Sequence, residues 1–216
     1  MCVNGVTWLG FGLLAISAGA ENQPLRETRP VAAARAAESK PAVASPDFPL
    51  MAAARAGDAT RVKELLAKGA NEDRRNSHLE TPLLIAAAMG HLEVVRILVA
   101  VPAGIDIPDR DGLTPLLVAA AAGHQEVVEL LLDNGAKPNM TRNTGESALS
   151  LAVENRHIEI VRALLKMGAL ATVTDARGRT PLQIARAQRN EAMVELLLKH
   201  RAKLPENGAR RSLHPD

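Results

Sequence analysis

Counting in steps of 33 from Phe48 lands on Thr81, Thr114, Ser147 and Thr180, and the residues after each landing point repeat one theme. Thr81-Pro82-Leu83-Leu84-Ile85-Ala86-Ala87, Thr114-Pro115-Leu116-Leu117-Val118-Ala119-Ala120 and Thr180-Pro181-Leu182-Gln183-Ile184-Ala185 are the clear copies. Ser147-Ala148-Leu149-Ser150-Leu151-Ala152 and Phe48-Pro49-Leu50-Met51-Ala52-Ala53 are divergent ones. Ala70, Ala103, Ala136, Ala169 and Ala202 hold one register in all five copies, so no gap or insertion is needed. A fixed period of this length restricts the chain to a stack of similar units. No unit buries its apolar face alone, so neighbours supply the core, and the function of such an array lies in the extended surface that stacking makes.

Each part of the period has a physical reading. Thr81, Thr114 and Thr180 place a hydroxyl on the free amides of a helix start, and Pro82, Pro115 and Pro181 fit the first helical position, where a missing N–H costs nothing. Gly90 and Gly123 take the left-handed conformation that ends a short first helix. Val94, Val95, Ile97 and Leu98, like Val127, Val128, Leu130 and Leu131, then recur at helical spacing as the buried stripe of a second helix, which Gly69, Gly135 and Gly168 end. Between copies, Asp109-Arg110-Asp111-Gly112 and Asp175-Ala176-Arg177-Gly178 carry turn chemistry and project as hairpin-like fingers.

With the T-P-L opening, the small-residue pair, Gly-His, the apolar run and Gly-Ala in place, the chain from about Asp47 to Leu204 resembles the ankyrin repeat. The resemblance implies an all-α solenoid of about five 33-residue helix-turn-helix repeats. Some positions depart from the family pattern. Met51, Leu84, Leu117, Ser150 and Gln183 stand where the family has a histidine that bonds neighbouring loops, so apolar packing is expected to replace it in the middle copies. Arg156 and Arg189 replace glycine at the turn between helices, where a left-handed side chain costs about 1 kcal/mol, so the fourth and fifth copies are expected to be less ideal. Pro102 should stop the preceding helix near Ala100. Leu79 replaces the finger glycine, which predicts an irregular first finger.

Ahead of the repeats, Val6 to Ala18 is an apolar run, followed by Ala18-Gly19-Ala20 and Glu21. The pattern reads as a signal peptide over residues 1–20 with a small-residue cleavage site, although no Lys or Arg precedes the run. It is shorter than the roughly 20 residues that a spanning helix needs, so no stable span is expected after cleavage. The alternatives are an uncleaved membrane-proximal segment or a wrongly assigned start. Residues 21–46 read as an Ala/Pro-rich linker with a short helix over Val31 to Glu38, residues 47–204 as the repeat domain, and 205–216 as a disordered tail. The only cysteine, Cys2, lies in the leader, so a mature chain has no thiol chemistry.

Net charge is +2, and basic residues are interleaved with acidic ones, as in Glu72-Asp73-Arg74-Arg75, which reads as a solvated face rather than a nucleic-acid surface. There is no Tyr, and Trp8 and Phe11 fall in the leader, leaving Phe48 as the one aromatic of a mature chain. That removes the stacking platform of single-strand binding and the aromatic faces of cation sites. His91, His124 and His157 occupy one position of successive repeats, about 8 to 10 Å apart, too far to share a zinc ion whose nitrogen bonds are about 2 Å. The resemblance makes them helix-start residues that bond locally. Asp106, Asp109 and Asp111 lack the downstream Glu of a calcium loop and belong to a turn. No nucleophile elbow, P-loop, H-E-x-x-H or paired Cys is present. The expectation is a non-enzymatic module with no cofactor and no metal.

What remains is protein binding. The resemblance implies that partners meet the fingers and the exposed face of the first helices. Those positions are Ser77, His78, Glu80, Ala88 and Met89 in one repeat, and Arg110, Asp111, Leu113, Ala121 and Ala122 in the next. They continue with Asn143, Thr144, Glu146, Glu154 and Asn155, and then with Ala176, Arg177, Arg179, Ala187 and Gln188. The expected protein is an exported, periplasmic bacterial monomer that scaffolds, inhibits or protects another protein. A secreted effector acting on host proteins is the first alternative, and a hydrolase-like or metal-dependent enzyme on an atypical site is the second.

Overall fold

The hydroxyls placed by the 33-residue period do start helices. Thr81, Thr114, Ser147 and Thr180 hold extended backbone, and their Oγ atoms accept the amides of Leu84, Leu117, Ser150 and Gln183 at 3.2 to 3.4 Å. In a computed structural model the described residues are 49–101 and 104–203. They form five helix pairs: α1 (Pro49–Ala56) with α2 (Ala59–Ala67), α3 (Pro82–Met89) with α4 (Leu92–Val99), and α5 (Pro115–Ala122) with α6 (Gln125–Asp133), then α7 (Ala148–Glu154) with α8 (Ile158–Lys166) and α9 (Pro181–Ala187) with α10 (Glu191–Lys203). No strand forms among the described residues, where Thr141 and Ser147 make a lone β-bridge. The architecture is an all-α repeat solenoid.

First helices stack on first helices and second on second, giving two layers with the core between and along them. The first layer is closely packed because its contact positions are small: Ala86, Ala87, Ala119, Ala120, Ala152 and Ala185 are fully buried. Leucine and β-branched residues of the second helices fill the space behind, with Val94, Val95, Leu98, Val128, Leu131, Val161 and Leu164 all at 0% exposure. Leu84 and Leu117 are also in this core, which bears out apolar packing at the position where the family has histidine. In the last two copies that position has a different use. Ser150 and Gln183 bond back to the N–H of Ser147 and Thr180 and close capping boxes.

Departures at the turns follow the sequence with one exception. Arg156 and Arg189 take φ of 62° and 53°, and α4 stops at Val99 with Ala100 as its cap. Pro102, Phe48, the leader, the linker with its Val31–Glu38 segment and the 205–216 tail lie outside the described residues. The first finger is not irregular. Leu79 adopts φ 62° and donates its amide to Asn76 O at 2.9 Å, while Asn76 N–H reaches Glu80 O, the same pair of bonds that Asp109, Gly112 and Leu113 make in the second finger. Asn76 stabilises the turn further, since its Oδ1 accepts the amides of His78 and Glu80.

Three rows of hydrogen bonds tie one repeat to the next. In the fingers, Arg110 N–H reaches His78 O at 3.1 Å and Asn143 N–H reaches Asp111 O at 3.0 Å. At the turns between paired helices, His91 Nε2 donates to Arg55 O at 3.0 Å and His124 Nε2 to Ala88 O at 3.1 Å. The expectation of local bonding is therefore corrected: neither histidine side chain caps its own helix, and each reaches back one repeat. In the loops after the second helices, Asp73 accepts Gly104 N–H at 3.0 Å, Asp106 accepts Lys137 N–H at 3.2 Å and Asn139 accepts Leu170 N–H at 2.8 Å.

Candidate functional site

The face that fingers and first helices share is built on this stitched frame. Ser77, His78, Arg110, Asp111, Asn143, Thr144, Ala176 and Arg177 are exposed along the finger row. Two of them also serve the frame: Arg110 donates to Ser77 O at 2.8 Å, and Asn143 Nδ2 donates to Arg110 O at 3.0 Å. Removing those side chains would loosen the fingers as well as alter the surface, so they are poor probes of binding alone. Arg177 is the finger residue whose guanidinium is both exposed and outside this row of bonds.

Below the fingers the floor changes character along the stack. Ala88, Met89 and Ala122 are half-buried and apolar, so the middle of the face is smooth and small. Leu113 and Ala121 are buried at 3% and 4% exposure, which corrects their reading as contact positions: they support the face and do not present it. Toward the fourth and fifth repeats the floor is ionic. Arg142 and Glu146 form a two-bond pair, with Nε to Oε2 at 3.0 Å. Burial would raise the Glu146 carboxyl, but the Arg142 guanidinium and the Thr144 side chain hold it below its ordinary value, and the same contact raises Arg142.

Arg179 is the hub of the last repeat. Its Nε donates to Asp175 Oδ2 at 2.8 Å and its outer nitrogen stands 3.6 Å from Glu154 Oε1. Asp175 Oδ1 accepts the amides of Arg177 and Arg179 at 2.9 and 2.8 Å, which fixes the finger turn. Gln188 Nε2 donates to Glu154 O at 2.7 Å and Asn155 Nδ2 to Leu151 O at 2.9 Å. Glu80 accepts from Asn76 Nδ2 at 2.6 Å and lies 3.9 Å from Arg55. Much of the expected polar contact row thus bonds inside the protein. Sequence spacing puts these residues on the face, but it holds no signal for which side chain its neighbour claims.

The carboxylates considered for calcium part company. Asp109 turns its Oδ1 to the amides of Asp111 and Leu113 at 2.9 Å, while Asp106 reaches across to Lys137. Both are turn and stitch residues, and the stitching row of Asp73, Asp106 and Asn139 is what the sequence reading missed. Its signal was available, since the three stand 33 residues apart.

Asp175 sets a pH dependence. Burial alone would raise its carboxyl, yet the Arg179 and Arg177 amides and the Arg179 guanidinium outweigh that and hold it below the ordinary carboxylate value. A depressed acid contributes stability that is present above the unfolded pKa, about 3.9, and is lost as pH falls through the folded one. Asp175→Asn should therefore lower the urea midpoint at pH 7. The gap from the unsubstituted protein should shrink below about pH 4. A gap that stays constant down to pH 2 would count against the ion pair.

Repeated helix pairs that stack layer on layer define a class, the helical repeat solenoid. The profile described as ankyrin repeats (3 copies) matches residues 50–142 and 134–208. The chain belongs to the ankyrin-repeat family. Ankyrin repeats are in general protein–protein interaction modules and typically not enzymes. A search of curated proteins found no match to this chain.

Proposed function

We propose that this chain is an exported ankyrin-repeat module that binds another protein in the bacterial envelope, as scaffold, inhibitor or protector, through the fingers and first-helix face. The observation that carries the choice of face is its construction. The first three fingers are held to one another by backbone bonds and the fourth is closed on itself, while Ser77, His78, Asp111, Thr144 and Arg177 remain exposed along the row. A surface ordered before it meets its partner loses little entropy on binding. The second helices offer charged side chains paired within one helix, Arg61 with Glu64, Arg96 with Glu93 and Arg162 with Glu159, which read as a solvated exterior. Export rests on the apolar run from Val6 and the Ala18-Gly19-Ala20 site. No helix among the described residues is long and apolar enough to cross a membrane.

Two measurements test this reading. Protein recovered from its native cell should sit in the periplasmic fraction and have an intact mass beginning at Glu21, within a residue or two; a cytoplasmic chain that keeps Met1 to Ala20 would refute export. Crosslinked affinity capture should enrich a protein that Met89→Glu, at the half-buried centre of the face, no longer retains. Capture indifferent to Met89→Glu would move the binding surface elsewhere.

A further inference from the structure

Charge is unevenly distributed along the stack. Residues 49–140 carry twelve acidic and nine basic side chains, whereas residues 141–203 carry six acidic and eleven basic ones. The sign changes where the turn position at the 33-residue register of Gly57, Gly90 and Gly123 becomes Arg156 and Arg189. Both arginines are exposed, and both hold a left-handed backbone that any Cβ strains. Glycine, used in the first three turns, would relieve that strain. Arg156 reaches Gln188 O at 3.3 Å, a long bond that does not explain an arginine at such a position and leaves Arg189 unexplained. Positions that break a local rule in this way are where function or strain is expected.

The two turns lie at the far ends of α7 and α9 from the fingers. Each first helix of seven residues is about 10 Å long, so exposed Arg177 on the finger edge and Arg156 and Arg189 on the turn edge border one narrow strip. Carboxylates within the strip are already paired: Glu146 with Arg142, Asp175 and Glu154 with Arg179. Beside those pairs, Arg156, Arg177 and Arg189 bring the strip its remaining positive charge.

We propose that this strip binds an acidic segment of a partner protein, with Asp or Glu side chains meeting Arg177 on one edge and Arg156 and Arg189 on the other. The uncharged continuation of that segment lies over Ala122, Met89 and Ala88. The proposal rests on the reading of the first-helix face as the binding surface and adds its chemistry. A peptide can place carboxylates at the arginines alone, whereas the continuous phosphates of a nucleic acid would also meet Glu146 and Glu154, with no aromatic residue among the described residues to stack its bases.

The test uses the full chain and a fluorescent 16-residue peptide of alternating Glu and Ala, with a Lys/Ala twin and a single-stranded oligonucleotide as controls. The acidic peptide should bind saturably and weaken with added salt, as exposed charge pairs do. Arg156→Gly/Arg189→Gly should weaken it about fivefold or more, the loss expected when interface arginines are removed. The same double variant should melt at an equal or higher temperature, since glycine suits both turns, so lost binding cannot be blamed on lost fold. Arg96→Gln, at an exposed arginine on the second helix α4, should change nothing. No saturable binding, equal binding of the Lys twin, an oligonucleotide that binds as tightly, or indifference to the double variant would each overturn the proposal. If partner capture still depends on Met89 while these outcomes hold, the face stands and its acidic chemistry falls. If capture is indifferent to Met89→Glu, the face itself is wrong.

Discussion

Leu131→Ala should cost about 2 to 5 kcal/mol of unfolding free energy, the range for removing a large aliphatic side chain from a site that cannot collapse around the void. Leu131 is fully buried on α6, in the middle repeat. Its neighbours on both sides are held by bonds between repeats that do not involve it, the His124 turn bond and the finger bond from Asn143 to Asp111. The frame should therefore keep the cavity open. Because stability in a stack is the sum of unit and interface terms, the loss weakens coupling across the centre and can divide one unfolding transition into two. Urea unfolding followed by circular dichroism reads both effects. A midpoint unchanged by the substitution would remove Leu131 from the core.

The period made the fold legible because 33-residue spacing superimposes Thr on Thr, Pro on Pro and Val-Val on Val-Val, and each of those residues acts within its own repeat. A cap hydroxyl finds its amide three residues on, so local chemistry is enough to read it. What escaped were interactions between repeats. Asp106 sits in a run of acids and looks like a metal ligand or a turn until Lys137, 31 residues on, is seen to donate to it. His91 looks like a helix cap until its Nε2 is found on Arg55 O, 36 residues back. The binding face was placed in the same way: spacing puts Leu113 and Arg110 side by side in a finger, and only packing tells that Leu113 points into the core and that Arg110 bonds Ser77. Glu154 stands among the contact positions in the sequence, and only the fold shows it paired, with Asp175, to Arg179.

Gly90→Ala should cost about 2 to 3 kcal/mol, clearly more than Gly135→Ala, although both glycines are left-handed, with φ of 74° and 89°. Strain from the Cβ is common to both and is worth about 1 to 2 kcal/mol. The surroundings differ. Nothing lies within 4 Å of a Cβ built at Gly135, whereas one at Gly90 would stand 2.5 Å from Nδ1 of the His124 ring. That ring is not free to swing away, because its Nε2 is bonded to Ala88 O. Forcing it out loses a hydrogen bond between repeats, about 1 kcal/mol more. The pairing of glycine in one repeat with histidine in the next recurs at Gly57 with His91 and at Gly123 with His157, where a built Cβ would also come within 2.8 and 2.6 Å of the ring. It ends where Arg156 replaces the glycine: the next repeat has Asn190, whose Oδ1 accepts the Met193 amide of its own helix instead. In a His124→Ala background Gly90→Ala should therefore cost only the strain, and the difference between the two backgrounds measures the ring contact directly. Equal costs for Gly90→Ala and Gly135→Ala would show that the histidine yields freely and that the turn row does not couple the repeats.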